Sequence, residues 1–315
     1  MTQRYFYHSF PRHQGGPADS WPTDPSAIDT GKAILDLIAQ FGLLLTPEIV
    51  TVDPELLADG SYSSGFPIYQ KRVCFTGIRP DELLEHAKCF GPYALEFDVV
   101  KLRTNGALPV NYIAKQVGSG AQLGGAGISM LHRMYNLCVL VSTLNSCKSN
   151  IANFITTLGI PTNQQVESTL STLLSAFEQK SHDFGQLTLF TNALACYYYP
   201  AEPSPHSLLE YFQEREWRIT NEFSNIMSGQ RLCEDLDPTH KSQLVMFNPG
   251  YFSASITMLT STPKNVVEVC KVIKQFDGDD ILTASNRIIV PDSELSVVKA
   301  KYPAHASKIV GLSTI

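Results

Sequence analysis

The sequence predicts an α+β fold, formed by a single domain over residues 1–315, and three observations support this prediction. Segments with the pattern of β-strands dominate both ends of the chain, whereas segments with helical periodicity fill the middle. Such segregation of strands and helices is typical of α+β proteins. Hydrophobic residues make up 43% of the 315 residues and charged residues 17%, which provides enough apolar material for a large core. We expect the helical middle, residues 128–195, to be an insertion in the domain.

The N-terminal elements follow from local patterns. The aromatic run "RYFYHSF" predicts a first strand, and the Gly- and Pro-rich residues 11–26 predict a long loop. Residues 31–48 contain the apolar spacing of a helix, with Gly42 as a stop signal. Further along, one helix is predicted among three strands, the helix over residues 79–91 and the strands over residues 70–78, 93–100 and 110–116.

The middle and the C-terminal part are predicted in the same way. The glycine-rich residues 118–127 are interpreted as a linker, because no Gly-Lys-Ser/Thr closes them as in a phosphate-binding loop. Residues 128–180 carry apolar side chains at helical spacing and predict buried helices. Towards the C-terminus we expect one helix among short extended segments, the helix over residues 263–276 and the extended segments over residues 243–249, 254–261 and 286–291.

Composition and charge argue against several classes of protein. The net charge of −6 disfavours non-specific binding to nucleic acid, which requires clustered cations. No apolar run has the length of a membrane span, and the N-terminus lacks the apolar region of a secretion signal. The seven cysteines are scattered without a C-x-x-C pair, which disfavours a structural metal and is typical of free thiols in a reducing compartment. We therefore expect a cytoplasmic protein without a metal site.

The segment "HSLLEYFQEREWRIT", residues 206–220, concentrates charged side chains around a tryptophan. In a strand, Glu214, Glu216 and Arg218 would share one face, and Trp217 would point to the other. Two carboxylates on one face repel each other and resist burial, unless a cation such as Arg218 offsets the repulsion. In a helix, Glu214 and Arg218 would instead form an i,i+4 pair. The spacing alone favours the helix.

The segment "YFQEREWRI" resembles the E-R-E-W-R motif of AbiGi-like abortive-infection proteins, a group of bacterial phage-defence proteins. Two other segments are similar to that group, the opening "YFYHSFPR" and the longer "VCFTGIRPDELLEHAKCFGPYALEFDVVKLRTNGALPVNYI". The matched segments occur in the same order as in the group and cover about residues 4–17, 33–46, 73–114 and 211–220.

The same layout is similar to the ADP-ribosyltransferase superfamily, including its DarT-like members. This resemblance implies a split β-sheet with NAD bound as a substrate in the cleft. Carried over by position, it implies that Glu216 or Glu214 is the catalytic carboxylate on a late strand. The implied NAD-binding residues are Tyr7, His8 and Ser9 on an early strand, Thr76 or Tyr93 as the central-strand residue, and Arg218 on the late strand.

The residue types suit the implied transfer of ADP-ribose from NAD to a macromolecule, or the cleavage of NAD. Breaking the nicotinamide–ribose bond develops positive charge on the ribose, which a carboxylate beneath the ring stabilises. The second carboxylate would position or deprotonate a protein or nucleic-acid acceptor. Arg218 would meet the diphosphate and His8 the adenosine ribose.

Several of these residues also have a structural interpretation. His8 would be a hydrogen-bonded strand residue, Thr76 a hydroxyl at a strand end, and Tyr93 a core side chain.

One alternative function is a non-catalytic antitoxin-like or sensor protein that uses the same fold to bind a partner of the defence system. A metal-dependent nuclease is a further class, for which the E-x-E pair lacks an Asp and Lys partner set.

Overall fold

The computed structural model describes ten stretches of the chain. They are residues 5–13, 18–55, 57, 60–114, 122–157, 164–181, 194–201, 215–221, 233–257 and 262–315. These residues form helices and a mixed β-sheet, so the predicted α+β class is confirmed. The further prediction of an ADP-ribosyltransferase-like split sheet stays a prediction.

The chain divides into two compact units. Residues 1–49, 69–112 and 204–315 make up the first unit, and residues 50–68 and 113–203 make up the second unit. Residues 128–195, which were predicted to be a helical insertion, all fall within the second unit. The single domain over the whole chain stays a prediction.

The strands of the described residues are numbered in chain order. The N-terminal strands are β1 (Tyr5–Phe10), β2 (Leu43–Val52), β3 (Phe66–Thr76), β4 (Tyr93–Asp98), β5 (Leu108–Pro109) and β6 (Asn111–Ala114). They are followed by β7 (Tyr198–Ala201), β8 (Glu216–Thr220), β9 (Glu234–Asp235), β10 (Ser255–Ile256), β11 (Lys264–Asn265), β12 (Lys271–Ile273), β13 (Gln275–Phe276), β14 (Asp279–Asp280), β15 (Arg287–Val290) and β16 (Ile309–Gly311).

The helices are numbered in the same way. The α-helices are α1 (Pro25–Phe41), α2 (Leu83–Phe90), α3 (Val99–Thr104), α4 (Gln122–Ser149), α5 (Ile151–Thr157), α6 (Gln164–Ser181), α7 (Pro238–Phe247), α8 (Pro249–Phe252), α9 (Val266–Val269), α10 (Ile281–Ala284) and α11 (Leu295–Lys301). Short 3-10 helices cover Ala18–Thr23, Pro80–Glu82, Asp292–Glu294, Pro303–His305 and Leu312–Thr314.

The main sheet contains ten strands. Eight of them follow the order β16-β15-β4-β1-β3-β2-β12-β9, and β8 pairs with both β3 and β5. β1 lies antiparallel to β4, with Phe10 opposite Tyr93, whereas β15 and β16 are parallel. The strand pairs β6–β7, β10–β11 and β13–β14 form separate two-stranded ladders.

Side chains alternate between the two faces of this sheet, as the period of two in a strand requires. The core face carries apolar residues of β1, β3 and β8, such as Phe6, Phe75 and Ile219, which pack in the largest buried cluster with Leu35 of α1. The opposite face of the sheet, which we call the second face, carries the alternate residues of the same strands. Part of it is covered by Leu83 and Ala87 of α2, which pack with Tyr7.

Helix α1 shows how local sequence sets the boundaries of an element. Asp24 caps its N-terminus by accepting a hydrogen bond from the backbone N–H of Ser26, and Pro25 occupies the first turn. Gly42 ends the helix at a φ of 101°, as its stop signal predicts. The helix predicted over residues 31–48 is therefore wrong beyond Gly42, where β2 begins, and the loop predicted over residues 11–26 contains helical turns.

Two C-terminal predictions are also wrong. Residues 243–249 were predicted to be extended but lie mostly in α7, which Asp237 caps by accepting from the N–H of His240. Residues 263–276 were predicted to be one helix, but only α9 is helical there. Strand β12 pairs with β2, so tertiary pairing overrides the helical spacing of that segment.

The second unit contains the predicted helical middle. Helices α4, α5 and α6 confirm helical structure in the described part of residues 128–180. Ile128 and Leu131 of α4 pack with Phe66 of β3 and Ile113 of β6 in a buried cluster. Among the described residues, no helix combines the length and the apolar character needed to cross a membrane.

Candidate functional site

The segment with Glu216 and Arg218 is strand β8, so the helical interpretation that the spacing favoured is wrong. Both side chains lie on the second face, whereas Trp217 and Ile219 pack against the core cluster. The Nε–H of Arg218 donates to Oε1 of Glu216 at 2.7 Å, and its Nη2–H donates to Oε2 at 3.1 Å. Glu216 is 9% exposed and Arg218 only 1%, so this pair is removed from solvent.

Two further residues bind the same carboxylate. The Nη1–H of Arg72 on β3 donates to Oε1 of Glu216 at 3.0 Å, and the hydroxyl of Tyr112 on β6 donates to Oε2. Together with the two bonds from Arg218, the carboxylate accepts four hydrogen bonds. An ionised carboxylate has about four acceptor positions, so these donors fill the capacity of Glu216.

The electrostatics of Glu216 follow from this environment. Burial raises the pKa of the Glu216 carboxyl, but the charge and hydrogen bonds of Arg218, together with the charge of Arg72, outweigh burial and lower the pKa to about 2. The opposing charge of Glu216 likewise raises the pKa of Arg218 against the effect of burial. Glu216 is therefore ionised throughout the physiological range of pH.

The polar network extends from Arg72 to the neighbouring strand β2. Nη2–H of Arg72 donates to Oε1 of Glu48 at 2.7 Å, and the side-chain amide of Gln70 donates to Oε2 of Glu48 at 2.6 Å. Nη1–H of Arg72 also reaches Sγ of Cys74 at 3.1 Å. Burial, and then the charge of Glu216, raise the pKa of the Cys74 thiol to about 12, so this thiol stays protonated. Two guanidinium groups thus balance two carboxylates.

Four residues of the network were not predicted from the sequence: Arg72, Tyr112, Glu48 and Gln70. One signal was present in β3, where the polar Gln70, Arg72 and Cys74 alternate with other residues at the period of a strand. Polar residues at alternate positions predict a polar face. The partners Glu48 on β2 and Glu216 on β8 depend on long-range strand pairing, which no local pattern contains.

Three predicted site residues align across the sheet. Tyr7 on β1 lies opposite Thr76 on β3, and Thr76 lies opposite Glu216 on β8. Residues that lie opposite each other share a face, so all three belong to the second face. Ser9 belongs to the same face of β1, and its Oγ is 3.4 Å from Nδ1 of His86 on α2. Burial lowers the pKa of His86 to about 4, so its ring is neutral.

His8 and Tyr93 are separated from this group because they lie on the core face. The Nδ1–H of His8 donates to the backbone carbonyl of Cys74 at 2.9 Å, and its ring lies beside Phe10 and Phe75. Burial lowers the pKa of His8, although the bond to Cys74 opposes this effect. Tyr93 is fully buried and stacks on Phe10 at 5.9 Å. These contacts match the structural interpretations of both residues.

Glu214, the second predicted carboxylate, lies outside the described residues. Arg215, which precedes β8, has a φ of 44°. Within the described stretches, no group of three or more His, Cys, Asp or Glu side chains could hold a metal ion. The described site is thus a buried, charge-balanced network centred on Glu216.

One protein family matches the part of the chain that contains this network. A family model described as abortive phage resistance protein AbiGi, antitoxin, matches residues 69–247, which is more than half of the chain. The match includes Arg72, Tyr112, Glu216 and Arg218. Comparisons with curated proteins and with solved structures gave no match.

Proposed function

The chain belongs to the AbiGi family of abortive phage resistance proteins, and we propose that it acts as the antitoxin of a phage-defence system. The resemblance of its E-R-E-W-R segment to this group is thereby confirmed. Membership supports a role in abortive infection. In the proposed role, the protein binds a toxic partner macromolecule of the same system and does not use Glu216 as a catalytic group.

The observation that carries this proposal is the saturation of the Glu216 carboxylate. A carboxylate that stabilises a cationic ribose, or that accepts a proton, needs an acceptor position facing the substrate. All the positions of Glu216 are taken by Arg218, Arg72 and Tyr112. A pKa of about 2 also makes it a poor base at neutral pH. Both features support a structural role for Glu216.

Transfer of ADP-ribose from NAD, or cleavage of NAD, is the competing hypothesis. It is motivated by the order of the motifs and requires that Glu216 exchange at least one of its present donors for the substrate. Incubating the purified full-length protein with NAD labelled in the adenylate, with and without cell extract, separates the two hypotheses. We expect neither nicotinamide release nor transfer of label above the protein-free blank.

The matched variants in this assay are Glu216→Gln and, as an exposed control, Glu85→Gln. Formation of an NAD-dependent product by the wild type and by Glu85→Gln, but not by a folded Glu216→Gln protein, would overturn the non-catalytic proposal. It would make β8 a catalytic strand.

The antitoxin role itself is tested in cells that carry the complete defence system. An antitoxin restrains a toxin made by the same cell, so depletion of this protein should arrest growth before any phage is added. Supplying the wild-type chain from a second gene copy should restore growth. Normal growth of the depleted cells would exclude the antitoxin role.

A further inference from the structure

Ser63 and His132 form a side-chain pair in the second unit, whereas the Glu216 network lies in the first unit. Ser63 lies between β2 and β3, and His132 lies on α4. The Nε2–H of His132 donates to the backbone carbonyl of Asp53 at 2.8 Å, because a carbonyl can only accept. In the neutral ring this leaves the lone pair on Nδ1, which is 3.3 Å from Oγ of Ser63. His132 is therefore placed to accept the proton of Ser63.

The surroundings of Ser63 favour a reactive hydroxyl. Its Oγ accepts a hydrogen bond from the backbone N–H of Glu55 at 2.8 Å, and this donor would stabilise negative charge developing on the oxygen. One lone pair of Oγ is left after the bonds to Glu55 and His132. Ser63 is partly exposed, whereas His132 is only 3% exposed. The serine is thus partly open to solvent, and the histidine beside it is buried.

The contacts around His132 involve both its helix α4 and its ring. The buried carboxylate of Glu55 accepts from Oγ of Ser129 at 2.5 Å and from Nη2 of Arg133 at 3.1 Å. The ring of His132 also meets the ring of Phe66 edge-on, with centroids 5.0 Å apart. The bonds to Glu55 anchor helix α4, whereas the bond to the carbonyl of Asp53 and the contact with Phe66 orient the imidazole, as the orienting groups of a nucleophile–base pair must do.

We propose that Ser63 and His132 are the nucleophile and the general base of an esterase site for uncharged, apolar carboxylic esters. The class of substrate follows from the surrounding side chains. Tyr62 is 68% exposed beside Ser63, and Tyr135 stacks on Phe66 at 4.1 Å. Arg133 is already paired with Glu55, which disfavours a phosphate ester.

The reaction balances without a further cofactor. Oγ of Ser63 forms a bond to the ester carbonyl carbon while its proton passes to Nδ1 of His132. The tetrahedral intermediate collapses, the bond to the alcohol oxygen breaks, and the alcohol leaves with that proton. Water then attacks the acyl-Ser63 ester with His132 again as the base, which releases the acid and restores the serine.

A fluorophosphonate that carries a fluorophore tests the site on the full-length protein. We expect the folded wild type to be labelled on Ser63, as identified by mass spectrometry of the labelled peptide. Labelling of Ser63→Ala should fall at least tenfold, whereas Ser64→Ala, which changes the exposed neighbouring serine, should be labelled like the wild type. His132→Gln should be labelled as slowly as Ser63→Ala.

Labelling of the folded wild-type protein tests the proposal even if a variant does not fold. Absence of label on the folded wild-type protein would overturn the proposal, as would label that persists in Ser63→Ala or that also appears on the heat-unfolded wild type. The site lies in the second unit and Glu216 in the first, so the proposal does not rest on the antitoxin role. A negative result for the esterase proposal would not affect the antitoxin proposal, and the reverse also holds.

Discussion

Arg218 and Glu216 are two residues apart on one strand, and their side chains form a two-point ion pair on the same face of the sheet. The Nε–Oε1 distance is 2.7 Å and the Nη2–Oε2 distance is 3.1 Å. Side chains at positions i and i+2 of a strand share a face, so the strand itself brings the two charges together. Arg72 and Tyr112 then add cross-strand bonds, which makes the pair part of a network that links β3, β6 and β8.

Replacement of Arg218 by Met is expected to destabilise the protein strongly. The change leaves Glu216 in a buried site with Arg72 and Tyr112 as its remaining donors. Removal of one partner from a buried ion pair costs about 3–5 kcal/mol. The free energy of unfolding from urea titration measures this loss. Arg79→Met is the control, because the Arg79 side chain is 67% exposed and its pairs should contribute less than about 1 kcal/mol. Equal losses in the two variants would contradict the network.

The bonds to Glu216 should differ in their contributions to stability. Tyr112→Phe removes one donor and leaves the charges balanced, so we expect a loss of about 1–2 kcal/mol. Glu216→Gln leaves Arg218 and Arg72 facing each other without their shared carboxylate, and we expect a loss of about 3 kcal/mol or more. Urea titrations of both variants and of the double variant provide the measurement. Tyr112→Phe should cost much less in the Glu216→Gln background, and full additivity would show that the two residues do not interact.

Stability should fall in two stages as the solution is acidified. His86 has a folded-state pKa of about 4, below its ordinary value of 6.5, because burial disfavours the charged ring. Its neutral form favours folding above pH 6.5, and this contribution is lost between pH 6.5 and 4. Glu216 has a folded-state pKa of about 2, below its ordinary value of 4.5, so its contribution is lost only between pH 4.5 and 2.

The first stage can be assigned with the variant His86→Phe, which keeps an aromatic ring beside Phe90 but does not titrate. The wild type should lose on the order of 2–3 kcal/mol of unfolding free energy between pH 7 and 4.5 through His86, and the variant should lose less by that amount. Urea titrations at several values of pH measure both curves. Parallel curves would mean that His86 does not cause the first stage.

The sequence predicted the site only as far as local patterns determine it. Once the segment was taken as extended, the alternation of side chains in a strand correctly placed Glu216 and Arg218 on one face and Trp217 on the other. Spacing alone favoured a helix, because the same sequence would also allow an i,i+4 ion pair between Glu214 and Arg218. The pairing of β8 with β3, which decides between the two, joins residues that are 140 to 148 positions apart in the chain. Arg72 was missed for the same reason.

The errors in the fold have related causes. Residues 243–249 contain a short apolar run, which does not distinguish a strand from a helix, and the capping residue Asp237 was the signal to use. In residues 263–276 the helical spacing was real, but the β-branched Val272 and Ile273 pair with β2 at Leu44 and Leu43. Gly42, by contrast, was correctly identified as the end of α1, because its conformation is a local requirement.

The junction between α1 and β2 should depend on that glycine for two separable reasons. Gly42 has a φ of 101°, and a Cβ atom there would lie 2.1 Å from the backbone carbonyl oxygen of Ile273. Gly278 has a similar φ of 90°, but a Cβ atom at that residue would meet no heavy atom within 4 Å. Gly278→Ala should therefore cost only the strain of a positive φ, about 1–2 kcal/mol. Gly42→Ala adds overpacking against backbone and should cost about 3 kcal/mol or more in urea titrations. Similar losses in the two variants would show that α1 can move away from β12 without cost.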